Sequence, residues 1–192
     1  MSKTRSIEEI REAFATGQRD FGENRVQEAA DKTAAGCPGG AVLHLVGHLQ
    51  TNKARVAAGL FRVIHSIDSD DLMHRVDEAA SGTVDLLLQV DLAGEESKFG
   101  VEPGALRDLL AAAEKLSRAR VVGLMCLPPF DPDPEVVRPY FRRLRELRDS
   151  HGGSERLPQL SMGMSHDFEV AIEEGATLVR VGEAIFGPRV KP

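Results

Sequence analysis

Two hydrophobic periods alternate along the chain. Short, mostly apolar runs occupy residues 42–47 (VLHLVG), 62–67, 84–90 (VDLLLQV), 121–126, 160–164 and 178–182. Between them, apolar residues recur every three or four positions. The first pattern suits strands covered on both faces, as in a parallel sheet, and the second suits amphipathic helices packed against it. The chain opens with a helix over 7–17: Ser6 caps it, Glu8 and Glu9 occupy its first turn, Ile10, Ala13 and Phe14 face inward, and Gly17 stops it. A very short strand at 19–22 leads to a helix for which Asn24 is the expected N-cap, with Gln27 completing a capping box. Further helices are predicted from Asn52, after a cap at Ser69, over 102–116 and over 135–150.

The last fifth, 160–189, holds two successive strand–small-residue–helix junctions. A strand at 160–164 runs into a helix capped by Ser165 and ended by Gly175; a strand at 178–182 runs into a short helix opening at Gly182. Strands therefore end near residues 22, 47, 68, 91, 126, 163 and 182, each followed by a helix or helical turn. Such alternation implies a parallel sheet with right-handed crossovers. No glycine-rich dinucleotide fingerprint follows the first strand. The fold class expected is α/β, a (β/α)8 barrel in one domain over 1–192. The eighth strand would precede the first helix, with residues 1–3 as its tip. Barrels of this kind hold phosphate in the loops after their last two strands and at a short extra helix. The junctions at 161–165 and 182–187 fit that use, although ordinary βα turns would look the same.

Composition narrows the partners. A net charge of −6 speaks against a nucleic-acid partner. Cys37 and Cys126 lie far apart without a CxxC spacing, as expected for reduced cytosolic thiols. No apolar run approaches the roughly 20 residues that span a bilayer, so a cytoplasmic protein with no membrane partner is expected.

A barrel presents its reactive groups at strand C-termini. The polar residues there are Lys3, Glu23, Asn24, His48, Asp68, Ser69, Asp91, Ser161, Ser165 and Arg180. There is no HxH or HExxH pair, so no metal site is expected, and no nucleophile elbow. His44 and His65 alternate within strands and read as packing residues. His48 lies past a strand end, open to a site role or a turn role. Lys98 reads as a loop lysine paired with Glu95 or Glu96. Arg180 stands inside an apolar strand, and a buried arginine needs a partner. That partner is either a barrel carboxylate or a ligand ring or anion beside the strand.

The motifs SKT (2–4), FGENRVQE (21–28), HLVGHLQTNK (44–53), HSIDS (65–69), SKFG (97–100), GLMCLPP (123–129) and SMGMSHDFEVAIEEGATLVRVGEAIFG (161–187) resemble, in order, those of the pyridoxal phosphate homeostasis proteins. The resemblance runs through essentially the whole chain. It implies an alanine-racemase-type (β/α)8 barrel without the racemase's second domain. It also implies bound pyridoxal 5′-phosphate, a role in intracellular homeostasis of that cofactor, and no established catalytic turnover. Residue by residue, Lys3 matches the lysine that forms a Schiff base with the cofactor. Ser165, Gly182 and Glu183 match phosphate-binding positions, Arg180 matches the arginine beside the pyridine nitrogen, and Asn24 belongs to a motif lining the cofactor. Partners implied are the cofactor and pyridoxal-phosphate-dependent apoenzymes, with the chain a monomer or weak homodimer. Racemisation would need a second base, and Tyr140 is the one tyrosine.

Two departures stand out. Glu183 occupies a place where the family often has threonine; a carboxylate repels a phosphate dianion, so only its backbone N–H is expected to contribute. The family also carries a helix and a full first strand before the SKT motif. The native polypeptide is therefore expected to start upstream of Met1, a valine codon GTG having been taken as the initiator. Without that strand, the second and eighth strands should keep unpaired edges and Lys3 should hang on a frayed end.

Overall fold

The computed structural model describes residues 1–94 and 99–188. Among them, seven strands pair in parallel in sequence order: β1 (Asp20–Glu23), β2 (Val42–Leu45), β3 (Val63–Ile67), β4 (Val84–Gln89), β5 (Ala119–Met125), β6 (Gln159–Met164) and β7 (Leu178–Arg180). The helices that connect or flank them are α1 (Ile7–Ala15), α2 (Val26–Ala34), α3 (Ala54–Leu60), α4 (Asp70–Ala79), α5 (Leu106–Ala113), α6 (Pro134–Ser150), α7 (Gly153–Arg156), α8 (Phe168–Glu173) and α9 (Glu183–Phe186). Sequential order in an all-parallel sheet is the barrel arrangement, here nearly closed with a seam between β1 and β7. The expected alternation, the seven strand positions and the α/β barrel are all as the hydrophobic pattern indicated. The pairing of Lys98 with Glu95 or Glu96 lies outside the described residues.

The seam corrects one expectation. Met1 and Ser2 do not fray but stitch the two edges together: the Met1 ammonium donates to the Val181 carbonyl, and Ser2 N donates to the Gly22 carbonyl at 2.9 Å. Ser2 is fully buried, and its hydroxyl donates to Glu23 Oε1 at 2.7 Å. Lys32 then ties Ser2 O, Glu23 Oε1 and Glu28 Oε1 within 2.8 Å. Charge-assisted bonds of this kind are the strong ones, so a short segment is held firmly beside β1.

Period-2 alternation splits the strand side chains into two layers. Leu45, Ile64, Leu86, Leu88, Leu124, Leu160 and Met162 join the main core against the helices, where Phe141 and Leu144 of α6 are fully buried. Burying each such side chain contributes about 1.5–3 kcal/mol. The alternate residues His44, His65, Leu87, Met125 and Ser161 are buried but lie outside that core, on the barrel's inner face.

Capping was read correctly at two helices and wrongly at two. Ser6 forms a reciprocal capping box with Glu9, and Ser69 accepts from Leu72 N at 3.4 Å. Asn24, however, is not the cap of α2; Arg25 holds that position without a side-chain bond, and Gln27 binds Asp31 instead. The Asn24 carbonyl crosses Gly47 so closely that a Cβ there would sit 2.1 Å from it. That crossing leaves no room for a side chain at Gly47. Likewise Asp167, not Ser165, precedes α8, and its carboxylate accepts from Met164 N at 2.6 Å.

Asp77 of α4 holds the start of β5. Its carboxylate accepts from Ser117 N at 3.0 Å, Arg118 N at 2.7 Å and Ala119 N at 2.6 Å. Burial favours the neutral acid, but those three donors outweigh it and hold the carboxyl below its ordinary range. The stabilisation is therefore complete above about pH 4, the unfolded value, and is lost as pH falls through the lower folded one. Asp77→Ala should cost roughly 1–3 kcal/mol, since it removes the acceptor of three backbone N–H groups, of which that of Ala119 is buried. In urea unfolding at pH 7 and pH 2.5, the gap between wild type and variant should shrink at the lower pH; an equal gap would refute this account.

Candidate functional site

The strand C-termini open onto a cavity of about 560 Å³. Lys3, Asn24, Ser165, Arg180, Gly182 and Glu183 all line it. Six residues drawn from both ends of the chain thus face one space because the seam brings the N-terminus against β7.

Lys3 stands between two constrained neighbours. Ser2 is locked into β1 as described. Thr4 has φ of +64°, in the left-handed region, and its N–H donates to Glu28 Oε1 at 2.6 Å. A β-branched residue there is costly, and such strain persists where surrounding contacts impose it. At the opposite wall, Gly163 (φ +88°) marks a register irregularity in β6 between Ser161 and Met164. Ser165 emerges beyond it, and its hydroxyl accepts from Gly182 N at 3.2 Å. The two last βα junctions are therefore in direct contact, while the Glu183 side chain is exposed.

Arg180 is buried at 6% exposure. Its guanidinium donates to Ser161 Oγ at 2.8 Å and to the Cys126 carbonyl at 3.0 Å. Among the described residues no carboxylate lies within ion-pair distance of it, which removes the buried ion pair as its explanation. Burial pushes Arg180 below its ordinary value, against opposing pulls from Cys126 and Asp167; a guanidinium still remains cationic at neutral pH. Burial also pushes the neighbouring Cys126 thiol up to about 12, so it behaves as an inert packing residue.

His48 takes a site position: it lines the cavity, stacks on Phe99 with ring centroids 3.5 Å apart, and lies 3.6 Å from Asp68. His44 and His65 are not simple packing residues. His44 Nδ1 meets His65 Nε2 at 2.9 Å, and His65 Nδ1 meets Ser161 Oγ at 2.8 Å. Strand register is the signal that could have found them: His44 lies opposite Val63, two residues before His65, so both point into the barrel. Tyr140 packs against the helix-side core and does not line the cavity. Among the described residues no group of three or more potential ligands gathers as a metal site, and no helix is long and apolar enough to cross a membrane.

With this geometry in view, comparison with known proteins is decisive. Residues 3–190 match the family model "Alanine racemase, N-terminal domain". The chain belongs to that family. A pyridoxal phosphate homeostasis protein of Aquifex aeolicus is 47% identical over 193 residues, covering 98% of this chain and 85% of the relative. The Escherichia coli K12 protein of the same name is 40% identical over 200 residues, covering 98% and 84%. Among solved structures of the family, PipY of Synechococcus elongatus with pyridoxal phosphate (PLP) bound superimposes with a TM-score of 0.88 at 39% identity, covering 97% of this chain and 90% of that one. An alanine racemase of Clostridium difficile, at 11% identity, shares the fold with a TM-score of 0.77, covering 96% of this chain and 49% of its own.

Proposed function

We propose that this chain binds pyridoxal 5′-phosphate and serves its intracellular homeostasis rather than turning over amino acids. The observation that carries the reading is a single cavity holding a lysine, a contacting serine–glycine pair and a buried arginine with no carboxylate partner among the described residues. The donor set fits the cofactor. A guanidinium with donors left over suits the acceptor nitrogen of a pyridine, and Ser165 with the backbone at Gly182 and Glu183 suits a phosphate. Lys3 would hold the cofactor as a Schiff base, its amine condensing with the aldehyde and releasing water. Asn24 would line the cofactor's side.

The cofactor supplies carbonyl chemistry and, when its ring nitrogen is protonated, an electron sink. Arg180 stays protonated itself and so keeps that nitrogen unprotonated, weakening the sink. Tyr140 lies away from the cavity and is not available as a second base. These features favour a carrier that exchanges cofactor with dependent apoenzymes. The names of the relatives, which describe homeostasis rather than a reaction, support the same reading.

The test is the absorption spectrum of the purified protein before and after borohydride reduction. A band above 400 nm should collapse, leaving a pyridoxyl adduct; a colourless protein that stays colourless with added cofactor would end the proposal. Ser165→Ala should keep the band but weaken retention by roughly 1–3 kcal/mol, the usual loss for a bond to a charged group. Equilibrium dialysis measures it, and unchanged retention would remove Ser165 from the phosphate site.

A further inference from the structure

A line of polar side chains crosses the inside of the barrel and ends on Arg180. It runs from Asp20 Oδ1 to His44 Nε2 at 3.0 Å, from His44 Nδ1 to His65 Nε2 at 2.9 Å, from His65 Nδ1 to Ser161 Oγ at 2.8 Å, and from Ser161 Oγ to Arg180 Nη1 at 2.8 Å. Five residues on β1, β2, β3, β6 and β7 thus run from the functional cavity to an exposed carboxylate. Arg180 lines the cavity where the functional residues gather and also the neighbouring one that Asp20, His44 and His65 line. Asp20, with a side chain 60% exposed, lines that neighbouring cavity and a further one that Arg180 does not reach.

The two ends determine every proton between them. Arginine only donates and a carboxylate only accepts. Asp20 therefore takes a proton from His44 Nε2–H. A neutral His44 then has a bare Nδ1, which takes His65 Nε2–H. His65 in turn has a bare Nδ1, which takes the Ser161 O–H, and the Ser161 lone pair takes Arg180 N–H. With both imidazoles neutral, one assignment satisfies all four contacts, and every bond points from Arg180 toward Asp20. Bonds aligned in this way polarise one another. The exposed carboxylate thereby reaches, through three neutral groups, a buried cation that has no carboxylate at ion-pair distance among the described residues.

We propose that Asp20, His44, His65 and Ser161 form a positioning relay that holds Arg180 toward the cofactor's ring nitrogen and couples that contact to the protonation of His44. This use of the relay rests on the reading that Arg180 faces a bound pyridine. Adding a proton to His44 turns its Nδ1 into a donor. His65 must then accept at Nε2 and carry its own proton on Nδ1, so it donates to Ser161 Oγ, and the serine hydroxyl proton turns off the line. The line has gained one proton from solvent and lost its direction. Arg180 now shares its acceptor with a second donor and faces a nearer positive charge.

The groups facing the line support a neutral resting state. Burial pushes His44 down, against pulls from Asp20 on β1 and Asp85 on β4, while the Met1 ammonium adds to the push. Asp85 is itself paired with Arg62 and Arg120. Burial pushes His65 well below the ordinary value, and His44 and Arg180 push the same way.

Nitrogen-15 NMR of the histidines in the cofactor-free protein reads the tautomers directly. At pH 7.5 both should be neutral with the proton on Nε2; an Nδ1–H form or an imidazolium at either residue would overturn the relay. In the loaded protein the absorption maximum should move over the same pH range in which His44 gains its proton, below the ordinary imidazole value of about 6.5. Ser161→Ala cuts the line beside Arg180. It should abolish that pH-linked shift while leaving the His44 titration in place, and weaken retention about tenfold. Should that variant fail to fold, Asp20→Asn, at an exposed site, still decides. It should lower the His44 midpoint and the spectral midpoint together, with Asp20→Glu restoring both. A band indifferent to the His44 titration, or midpoints that separate in Asp20→Asn, would overturn the coupling. A chain that takes up no PLP overturns the functional reading and this use of the relay with it, whereas wrong tautomers overturn the relay and leave the functional reading standing.

Discussion

Lys3→Ala will bind pyridoxal phosphate only noncovalently, will lack the band above 400 nm, and will yield no pyridoxyl peptide after borohydride. The expected loss of retention is on the order of 100-fold or more, because a covalent link made inside a pocket holds its partner at very high effective concentration. The placement of Lys3 motivates this. Ser2 before it is buried and bonded to Glu23, and Thr4 after it is held in a left-handed conformation by Glu28. A lysine so flanked has little backbone freedom, which is what a reacting amine needs. The variant should fold normally, since Met1, Ser2 and Lys32 supply bonds that stitch the N-terminal segment to β1 and β7. Mass spectrometry of the reduced wild-type protein gives the complementary result: an adduct on Lys3. An adduct on Lys53, which sits on a turn away from the cavity, with Lys3 unmodified would refute the assignment.

Arg180→Met should stabilise the cofactor-free protein while weakening its hold on the cofactor. Among the described residues Arg180 has no carboxylate partner, and a buried cation so placed carries a desolvation cost of several kcal/mol. Methionine has similar length and no charge, so the variant should gain about 1–4 kcal/mol of unfolding free energy in the cofactor-free state, the range found when buried ion pairs are replaced by apolar residues. The Cys126 carbonyl and Ser161 hydroxyl each lose a donor, which sets the lower end of that range. In the loaded state the order should reverse, because the ring nitrogen loses its partner and the absorption maximum shifts. Urea unfolding with and without PLP reads both halves. A cofactor-free variant less stable than wild type would make Arg180 a structural residue. A stability–function trade-off at one residue, by contrast, marks a group retained for its ligand.

Much of this molecule was legible in the chain. The strand runs and helical stripes specify an alternating α/β protein because burial on one or two faces demands period 3.6 or near-continuous apolarity, and both survive in local sequence. The Ser6 and Ser69 caps were readable for the same reason: a cap is a bond to a neighbour two or three residues away. The motifs around Lys3, Asn24, Ser165, Arg180 and Gly182 pointed to one family, and the cavity unites those residues.

What local sequence could not settle was anything depending on two distant segments at once. Asn24 satisfies the compositional rules for an N-cap, yet Arg25 holds that position and the Asn24 carbonyl passes against Gly47 of a distant segment. Ser165 looks like a cap, yet its hydroxyl meets Gly182 in the next junction. His44 and His65 look like interior packing, and only the two-residue stagger between β2 and β3 makes them hydrogen-bonded neighbours. Met1 and Ser2 look like a loose end, and only the approach of β1 to β7 gives their backbone groups partners on both sides. Periodicity and caps are short-range physics and can be read one residue after another. Register, seam closure and the sharing of a buried hydroxyl between strands are set by where the barrel brings remote backbone together, so tertiary structure alone decided them.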